Sequence, residues 1–86
     1  MIAADEIERR ILAGLPGARV PALVDLAGDR DHWRATVVAP QFEARSAVDR
    51  HRLVYACLQD VLGGALHALS LETLTPDEWV ERSGAA

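Results

Sequence analysis

Residues 18–38 read ARVPALVDLAGDRDHWRATVV and contain two runs with the two-residue period of a β-strand. One face of the first run consists of Val20, Ala22, Val24 and Leu26. In the second run, one face consists of Trp33, Ala35 and Val37 and the other of His32, Arg34 and Thr36. The connection over 28–31 is polar and short enough for a hairpin-like return. Pro21 lacks a backbone donor, which indicates a sheet edge or a bulge.

Helix signals stand on both sides of this predicted hairpin. On the N-terminal side, apolar residues recur at helical spacing and a Gly/Pro cluster then ends the helix; these are Ile7, Ile11 and Leu12, followed by Gly14, Pro16 and Gly17. On the C-terminal side, Pro40 ends the strand and Phe42 is the expected apolar anchor of the next loop. Ser46 and Asp49 then have the Ser-x-x-acid spacing of a helix N-cap.

The segment after this N-cap carries an apolar stripe made of Leu53, Val54, Cys57, Leu58, Val61 and Leu62. It predicts one helix that ends at Gly63-Gly64, or a short helix over 47–51 that leads into a longer one. A third strand is predicted over about 65–73, with His67, Leu69 and Leu71 on one face and Ala68, Ser70 and Glu72 on the other.

The last predicted element is a helix that starts at Thr75-Pro76-Asp77-Glu78, which combines an N-cap, a proline at N1 and an acid at N3. Trp79 and Val80 are expected to dock this helix on the rest of the fold. The element order is α-β-β-α(α)-β-α, in a single domain over 1–82 with a frayed C-terminus over 83–86.

Composition limits the chemistry that the chain can perform. Its 86 residues, half of them hydrophobic and 26% charged, are typical of one small globular domain with little room for a large enzyme pocket. All nine basic residues are arginine, so every lysine-based mechanism is excluded. No apolar run is long enough to span a bilayer, and the acidic, amphipathic N-terminus is unlike a secretory signal. A single cysteine, Cys57, favours a reducing compartment, for which we expect the cytoplasm.

Candidate chemical residues are few. Ser46, Asp49 and His51 have the residue types of a catalytic triad, but Ser46 and Asp49 are already explained as the N-cap of a helix. Cys57 lies within an apolar stripe, where a free cysteine behaves as a small hydrophobe. His32 lies at the mouth of the hairpin and His67 at the entry to the third strand. Spacing alone favours a hydrogen-bonded His67 and a solvent-facing His32, although two such histidines on one sheet could converge as half of a metal site.

Four segments together resemble the BolA family. They are Phe42 followed by Ser46, then Arg50-His51-Arg52-Leu53-Val54-Tyr55, then His67-Ala68-Leu69-Ser70-Leu71, and finally Thr73-x-Thr75-Pro76-x-x-Trp79. The resemblance runs from the first helix to Trp79, and the short chain is closest to the bacterial IbaG-like branch of the family. It implies an α+β fold of the class II KH-like type, with a three-stranded sheet and helices packed on one side.

The resemblance also implies a function. Members of this family pair with a monothiol glutaredoxin that carries a CGFS motif, and the heterodimer can share a [2Fe-2S] cluster. The partner then supplies a cysteine and a glutathione thiol, and the BolA-like chain supplies the remaining ligands. By resemblance these ligands are His67, in the family's His-Ala-Leu motif, and His32, in the hairpin loop. We therefore expect a non-enzymatic adaptor for iron–sulfur cluster assembly or trafficking, without a cofactor of its own when isolated and either monomeric or weakly dimeric.

The alternative prediction is a nucleic-acid-binding regulator. Arg45, Arg50 and Arg52, with His51 among them, form a local basic patch that could contact phosphates or a protein partner. Two features weigh against nucleic acid: the chain is acidic, with a net charge of −4 and a pI near 5.2, and Glu43-Ala44-Arg45-Ser46 lacks the glycines of a KH-type GXXG loop. The resemblance would place a glycine where Ala44 stands.

Overall fold

The computed structural model describes residues 1–84 as three α-helices and one three-stranded sheet. The elements are α1 (Ala4–Gly14), β1 (Arg19–Asp25), β2 (His32–Val38), a 3-10 helix (Pro40–Phe42), α2 (Ala47–Cys57), β3 (Ala68–Leu74) and α3 (Pro76–Ser83). This order confirms the predicted α+β class, with a single helix in the second helical segment. No helix within residues 1–84 is long and apolar enough to cross a membrane.

The sheet has β2 at its centre. β1 pairs with β2 antiparallel, which confirms the hairpin, and β3 pairs with β2 parallel. β1 is thus an edge strand, and its register shifts between Arg19 and Ala22, so Pro21 lies both at an edge and in a bulge. This bulge makes the predicted common face of β1 wrong. The extra residue moves Leu23 to the core side with Val20, and leaves Val24 and Leu26 50% and 56% exposed.

The core lies between one face of the sheet and the helices α1 and α2. Its fully buried side chains include Ile7 and Ile11 of α1, Val54 of α2 and Phe42 of the 3-10 helix. The prediction for Phe42 as an apolar anchor is therefore confirmed. Leu12, the third apolar residue of the α1 pattern, is 39% exposed, whereas Leu15 is buried.

The second helix ends earlier than the sequence indicates. α2 stops at Cys57, and the chain turns over residues 58–64 instead of continuing to Gly63-Gly64. The turn has a packing reason: it brings Leu58 and Leu66 into the core together, and both are fully buried. Gly63 adopts a φ of +91° within it, a conformation that favours glycine. Consequently β3 begins at Ala68, and His67 directly precedes the strand.

The C-terminal helix starts as predicted. Thr75 and Glu78 form the full capping box, with each side chain accepting from the other residue's backbone N–H. Trp79 is half-buried, but Val80 is 41% exposed and does not dock the helix. α1 and α2 cover the core face, whereas α3 packs along β3 and its Arg82 pairs with Glu72 on the opposite face. The predicted frayed end covered 83–86. Ser83 closes α3, Gly84 caps it, and residues 85–86 lie outside the described residues.

Candidate metal centre

His32 and His67 converge at one end of the sheet. His32 is the first residue of β2, and the parallel register places it opposite Ala68, the first residue of β3. His67 precedes Ala68, and its ring centroid lies 5.1 Å from that of His32, with the two ring planes tilted by 53°. The parallel pairing of β2 and β3 thus brings together the two histidines that the resemblance singles out as ligands.

The His32 ring is held by a carboxylate of the hairpin loop. Its Nδ1 lies 2.9 Å from Oδ2 of Asp29. The other oxygen of Asp29, Oδ1, accepts from the backbone N–H groups of Asp31 at 3.0 Å and His32 at 3.3 Å. Burial opposes ionisation of Asp29, but the hydrogen bonds from the His32 side chain and from these backbone groups outweigh it, so the pKa of this carboxyl is lowered. Asp29 is therefore an ionised acceptor fixed in place by the loop.

The backbone of His67 is held by Asp31. The His67 N–H lies 3.0 Å from the carbonyl oxygen of Asp31 and 3.0 Å from its Oδ1. The N–H of Ala68 donates to the same carbonyl oxygen at 3.1 Å. The hairpin loop is thus hydrogen-bonded directly to the start of β3, and both histidines are anchored by neighbouring acids of one loop.

The loop has its own internal support. Asp25 accepts from the backbone N–H groups of Asp29 at 3.2 Å and Arg30 at 2.9 Å. Arg30 has a φ of +59°, which reverses the chain, and its carbonyl oxygen accepts from the N–H of Ile2 at 3.0 Å. These contacts fix the loop, so the His32 ring and the backbone position of His67 are preorganised.

Both imidazoles are open to solvent. The side chain of His32 is 41% exposed, and His67 is an exposed residue. Ligand atoms of Asp29, Asp31 and His32 also lie within 4.8 Å of one another. The ring nitrogens of these two histidines are therefore accessible from solvent and could bind a metal that approaches from outside.

Cys57 is not part of this centre. Its Sγ lies 3.3 Å from the carbonyl oxygen of Leu53 and contacts α1, where an added Cβ on Gly14 would fall 2.4 Å from the sulfur. Burial raises the pKa of the thiol. The predicted packing role of Cys57 agrees with this position between α1 and α2.

The predicted basic patch divides into internal and surface groups. The side chain of Arg50 is only 14% exposed, and its guanidinium donates to the carbonyl oxygens of Arg45 at 3.0 Å and Thr73 at 3.2 Å and to Glu78 at 2.7 Å. Arg50 therefore connects α2 with β3 and α3, which a sequence cannot reveal. Arg50 is therefore not available for phosphate contacts, which leaves fewer arginines in the predicted basic patch.

The other members of the patch lie nearer the surface. Arg45 is exposed and donates to the carbonyl oxygen of Gln41 at 3.0 Å. The side chain of Arg52 is 76% exposed, with Asp49 at 3.8 Å. His51 packs edge-on against Tyr55, with ring centroids 6.4 Å apart. Asp49 and Ser46 keep their capping roles, since the Ser46 side chain accepts from the Asp49 N–H.

Sequence reasoning missed Asp29 and Asp31 as parts of the site and treated them only as turn residues. A signal was present: acids stand three and one positions before His32 in Asp29-Arg30-Asp31-His32. An acid three residues before a histidine in a tight loop is within reach of its Nδ1.

Comparisons with known proteins agree with the family resemblance and with the fold of the chain. The family model described as BolA-like protein matches residues 18–78. BolA-like protein 1 of Mus musculus is 37% identical over 89 residues, which cover 92% of this chain and 65% of that protein. Against the human BolA-like protein 1, the match spans only 41% of the relative's length.

Solved structures share the whole architecture. A BolA protein homologue from Coxiella burnetii superposes with a TM-score of 0.80 at 42% identity, covering 92% of this chain and 97% of that one. The BolA domain of SufE1 from Arabidopsis thaliana superposes with a TM-score of 0.70 at 32% identity, covering 91% of this chain and 99% of that one. With the family match, the mixed three-stranded sheet and the helix order all in agreement, this chain belongs to the BolA family.

Proposed function

We propose that this protein is an adaptor in iron–sulfur cluster assembly or trafficking that binds a monothiol CGFS glutaredoxin and co-ligates a [2Fe-2S] cluster through His32 and His67. The observation that carries the proposal is the placement of two exposed imidazoles with ring centroids 5.1 Å apart. Membership of the BolA family supports an iron–sulfur-related role.

The donor set suits one side of a cluster. Clusters in which two histidines replace two cysteines at one iron are a known type, and neutral imidazoles reduce the negative charge that thiolates would place there. Ligation by imidazole also competes with protons, so the site becomes pH-sensitive and more labile than an all-thiolate site. Lability favours transfer of the cluster to a recipient over permanent storage.

The remaining ligands must come from another molecule. The one cysteine of the chain lies between α1 and α2, where burial raises the pKa of its thiol. A partner that brings a cysteine and glutathione would supply the two missing thiolates. A BolA domain also occurs within the SufE1 chain of Arabidopsis thaliana, which supports a role beside a second protein unit. We propose no catalytic step for this chain.

The test is to mix the protein with a CGFS glutaredoxin, iron, sulfide and glutathione, and to record visible absorption and circular dichroism. We expect His67→Ala and His32→Ala to change the spectrum of the heterodimer and to hasten loss of the cluster. Arg9→Ala is the control, because this side chain of α1 is 67% exposed and belongs to neither the histidine pair nor the basic patch. A spectrum and a lifetime identical to wild type in His67→Ala would refute the ligand assignment.

A further inference from the structure

We infer that Asp29 is a positioning residue that sets the tautomer of His32, so that Nε2 is the nitrogen of His32 that binds metal. The inference rests on the proposed function, in which His32 is a ligand. It adds a residue of the hairpin loop to the site, and it assigns the ligating atom.

The geometry leaves one arrangement of protons. An ionised carboxylate has only acceptor oxygens, so the 2.9 Å contact from Oδ2 of Asp29 to Nδ1 of His32 requires the proton on Nδ1. In a neutral imidazole the proton on Nδ1 leaves the lone pair on Nε2. Carboxylates behind ligating histidines fix the tautomer and the ring orientation in the same way at other metal sites.

The carboxylate is not free to rotate. Its Oδ1 accepts from two backbone N–H groups, those of Asp31 at 3.0 Å and His32 at 3.3 Å. The backbone N–H of Asp29 is itself held by Asp25 at 3.2 Å. Oδ2 is consequently directed at the imidazole by contacts that do not involve the histidine side chain.

The same contacts distinguish a positioning role from a ligand role. Ligand atoms of Asp29, Asp31 and His32 lie within 4.8 Å of one another, which also fits a carboxylate-rich metal site. However, both oxygens of Asp29 already accept hydrogen bonds, and Oδ1 of Asp31 accepts from the His67 N–H at 3.0 Å. The two acids therefore support the histidines, and the imidazoles remain open to a ligand.

Asp29→Asn separates these roles sharply. The amide oxygen can still accept the two backbone N–H groups that Oδ1 accepts now, so the loop keeps its conformation. The amide NH₂ then replaces Oδ2 and can only donate, which forces Nδ1 to accept and moves the proton to Nε2. Asp31→Asn is the matched control, because it removes the same charge from the same loop and its amide oxygen keeps the bond to the His67 N–H.

The first measurement uses the free protein, labelled with ¹⁵N, at a pH high enough for its imidazoles to be neutral. Long-range ¹H–¹⁵N spectra report the tautomer of each histidine. We expect His32 to carry its proton on Nδ1 in the wild type and in Asp31→Asn, and on Nε2 in Asp29→Asn. Backbone amide spectra check that all three proteins are folded. A wild-type His32 protonated mainly on Nε2, or an unchanged tautomer in Asp29→Asn, overturns the inference.

The second measurement uses the heterodimer with the CGFS glutaredoxin and follows the decay of the visible circular dichroism of the cluster. Loss of a carboxylate behind a ligating histidine costs about 10–100-fold in metal affinity, so we expect decay to quicken at least about tenfold in Asp29→Asn but not in Asp31→Asn. Equal decay in the two variants overturns the inference. Absence of any cluster in the wild-type complex refutes the proposed function instead, and the tautomer spectra, which need no partner, still decide the role of Asp29.

Discussion

Ala44 adopts a backbone conformation that usually belongs to glycine. Its φ is +60°, in the left-handed region, at the point where the chain leaves the 3-10 helix for α2. An L-residue in this region costs roughly 1–2 kcal/mol because Cβ crowds the following carbonyl oxygen. The strain lies in the segment where the resemblance to the BolA family would place a glycine.

We therefore expect Ala44→Gly to stabilise the protein. Relief of the left-handed strain exceeds the extra unfolded-state entropy of glycine, so the free energy of unfolding should rise by about 0.5–1 kcal/mol. Ala56→Gly, at an exposed position inside α2, is the control and should lower it by about 1 kcal/mol. Urea unfolding measures both. A destabilised Ala44→Gly protein would contradict the strain argument.

At the residue scale, the sequence singled out the two histidines that lie together in the structure, but not the acids that hold them. His32 and His67 could be singled out by resemblance to a family, although spacing alone favoured other roles for both. The contact from Asp29 to His32 depends on loop dihedral angles, which composition does not give. Arg50 was predicted to lie on a surface because charged side chains are usually exposed, and the sequence does not show the partners that Arg50 meets in the fold.

Gly14 allows α1 and α2 to approach closely. A Cβ added there would lie 2.4 Å from Sγ and 3.3 Å from Cβ of Cys57. Close helix packing explains why this small residue ends α1 and why a small thiol stands opposite.

Gly14→Ala should accordingly lower the free energy of unfolding by about 1–3 kcal/mol, because overpacking outweighs the gain in helix propensity. The cost should fall by about 1 kcal/mol or more in a Cys57→Ala background, since the sulfur is then gone. Denaturant unfolding of the wild type, the two single variants and the double variant forms a double-mutant cycle. Additive effects, within about 0.5 kcal/mol, would show that the two residues do not collide.

α2 covers the free edge of β3 with two side chains. Tyr55 donates through its hydroxyl to the carbonyl oxygen of Leu69 at 3.1 Å, and Arg50 donates to that of Thr73 at 3.2 Å. The Arg50 guanidinium also lies 5.9 Å from the centre of the Phe42 ring. These contacts hold α2 against β3, and both residues belong to the segment Arg50-His51-Arg52-Leu53-Val54-Tyr55.

Replacing Arg50 by alanine should therefore destabilise the fold by about 1–3 kcal/mol, since two carbonyl oxygens and the Glu78 carboxylate lose their donor and the contact with Phe42 is lost. Arg52→Ala is the matched control. Its side chain is 76% exposed, so the expected change is within about 0.5 kcal/mol. Thermal and urea unfolding compare them. Equal effects of the two substitutions would argue against an internal role for Arg50.

At the element scale, the order and type of the α-helices and strands could be predicted from periodicity and capping signals, whereas a loop was expected where the 3-10 helix lies. The boundaries that failed depend on tertiary packing. α2 stops at Cys57 so that Leu58 and Leu66 both reach the core, and the bulge in β1 reverses which apolar residues face it. The early end of α2 has no signal in the local sequence, and Pro21 indicates an edge or a bulge without showing which residues then face the core.

Acid should lower the free energy of unfolding, because the carboxyls of Glu72 and Glu78 form ion pairs between elements of the fold. The hydrogen bond from Arg82 lowers the pKa of Glu72, against the opposing effect of burial, and the hydrogen bond from Arg50 lowers that of Glu78. Such a carboxyl binds protons more weakly in the folded chain than in the unfolded chain. Its stabilisation is complete above the ordinary value of 4.5 and is lost as the pH falls through the lowered folded pKa.

The doubly substituted Glu72→Gln, Glu78→Gln protein should consequently show a flatter stability profile than wild type below about pH 5. Glutamine at position 78 still serves the capping box, which limits other effects. Urea midpoints recorded from neutral pH downward measure the difference. Parallel profiles for the two proteins would contradict the linkage.

At the scale of the whole molecule, the placement of the cysteine and of the two histidines fits the proposed adaptor. The one thiol packs between α1 and α2, and the two imidazoles lie at one end of the sheet, beside a loop that is held by Asp25, Asp29 and Asp31. Such a chain offers half of a coordination sphere, and a thiol-bearing partner can complete it.

The most direct measurement of that claim is pulsed EPR of the reduced cluster in the heterodimer, with ¹⁵N-histidine incorporated only in this chain. We predict strong coupling of the cluster to two ¹⁵N imidazole nitrogens, with one coupling lost in His32→Ala and one in His67→Ala. A cluster that shows no strong coupling to nitrogen from this chain would contradict co-ligation by the histidine pair.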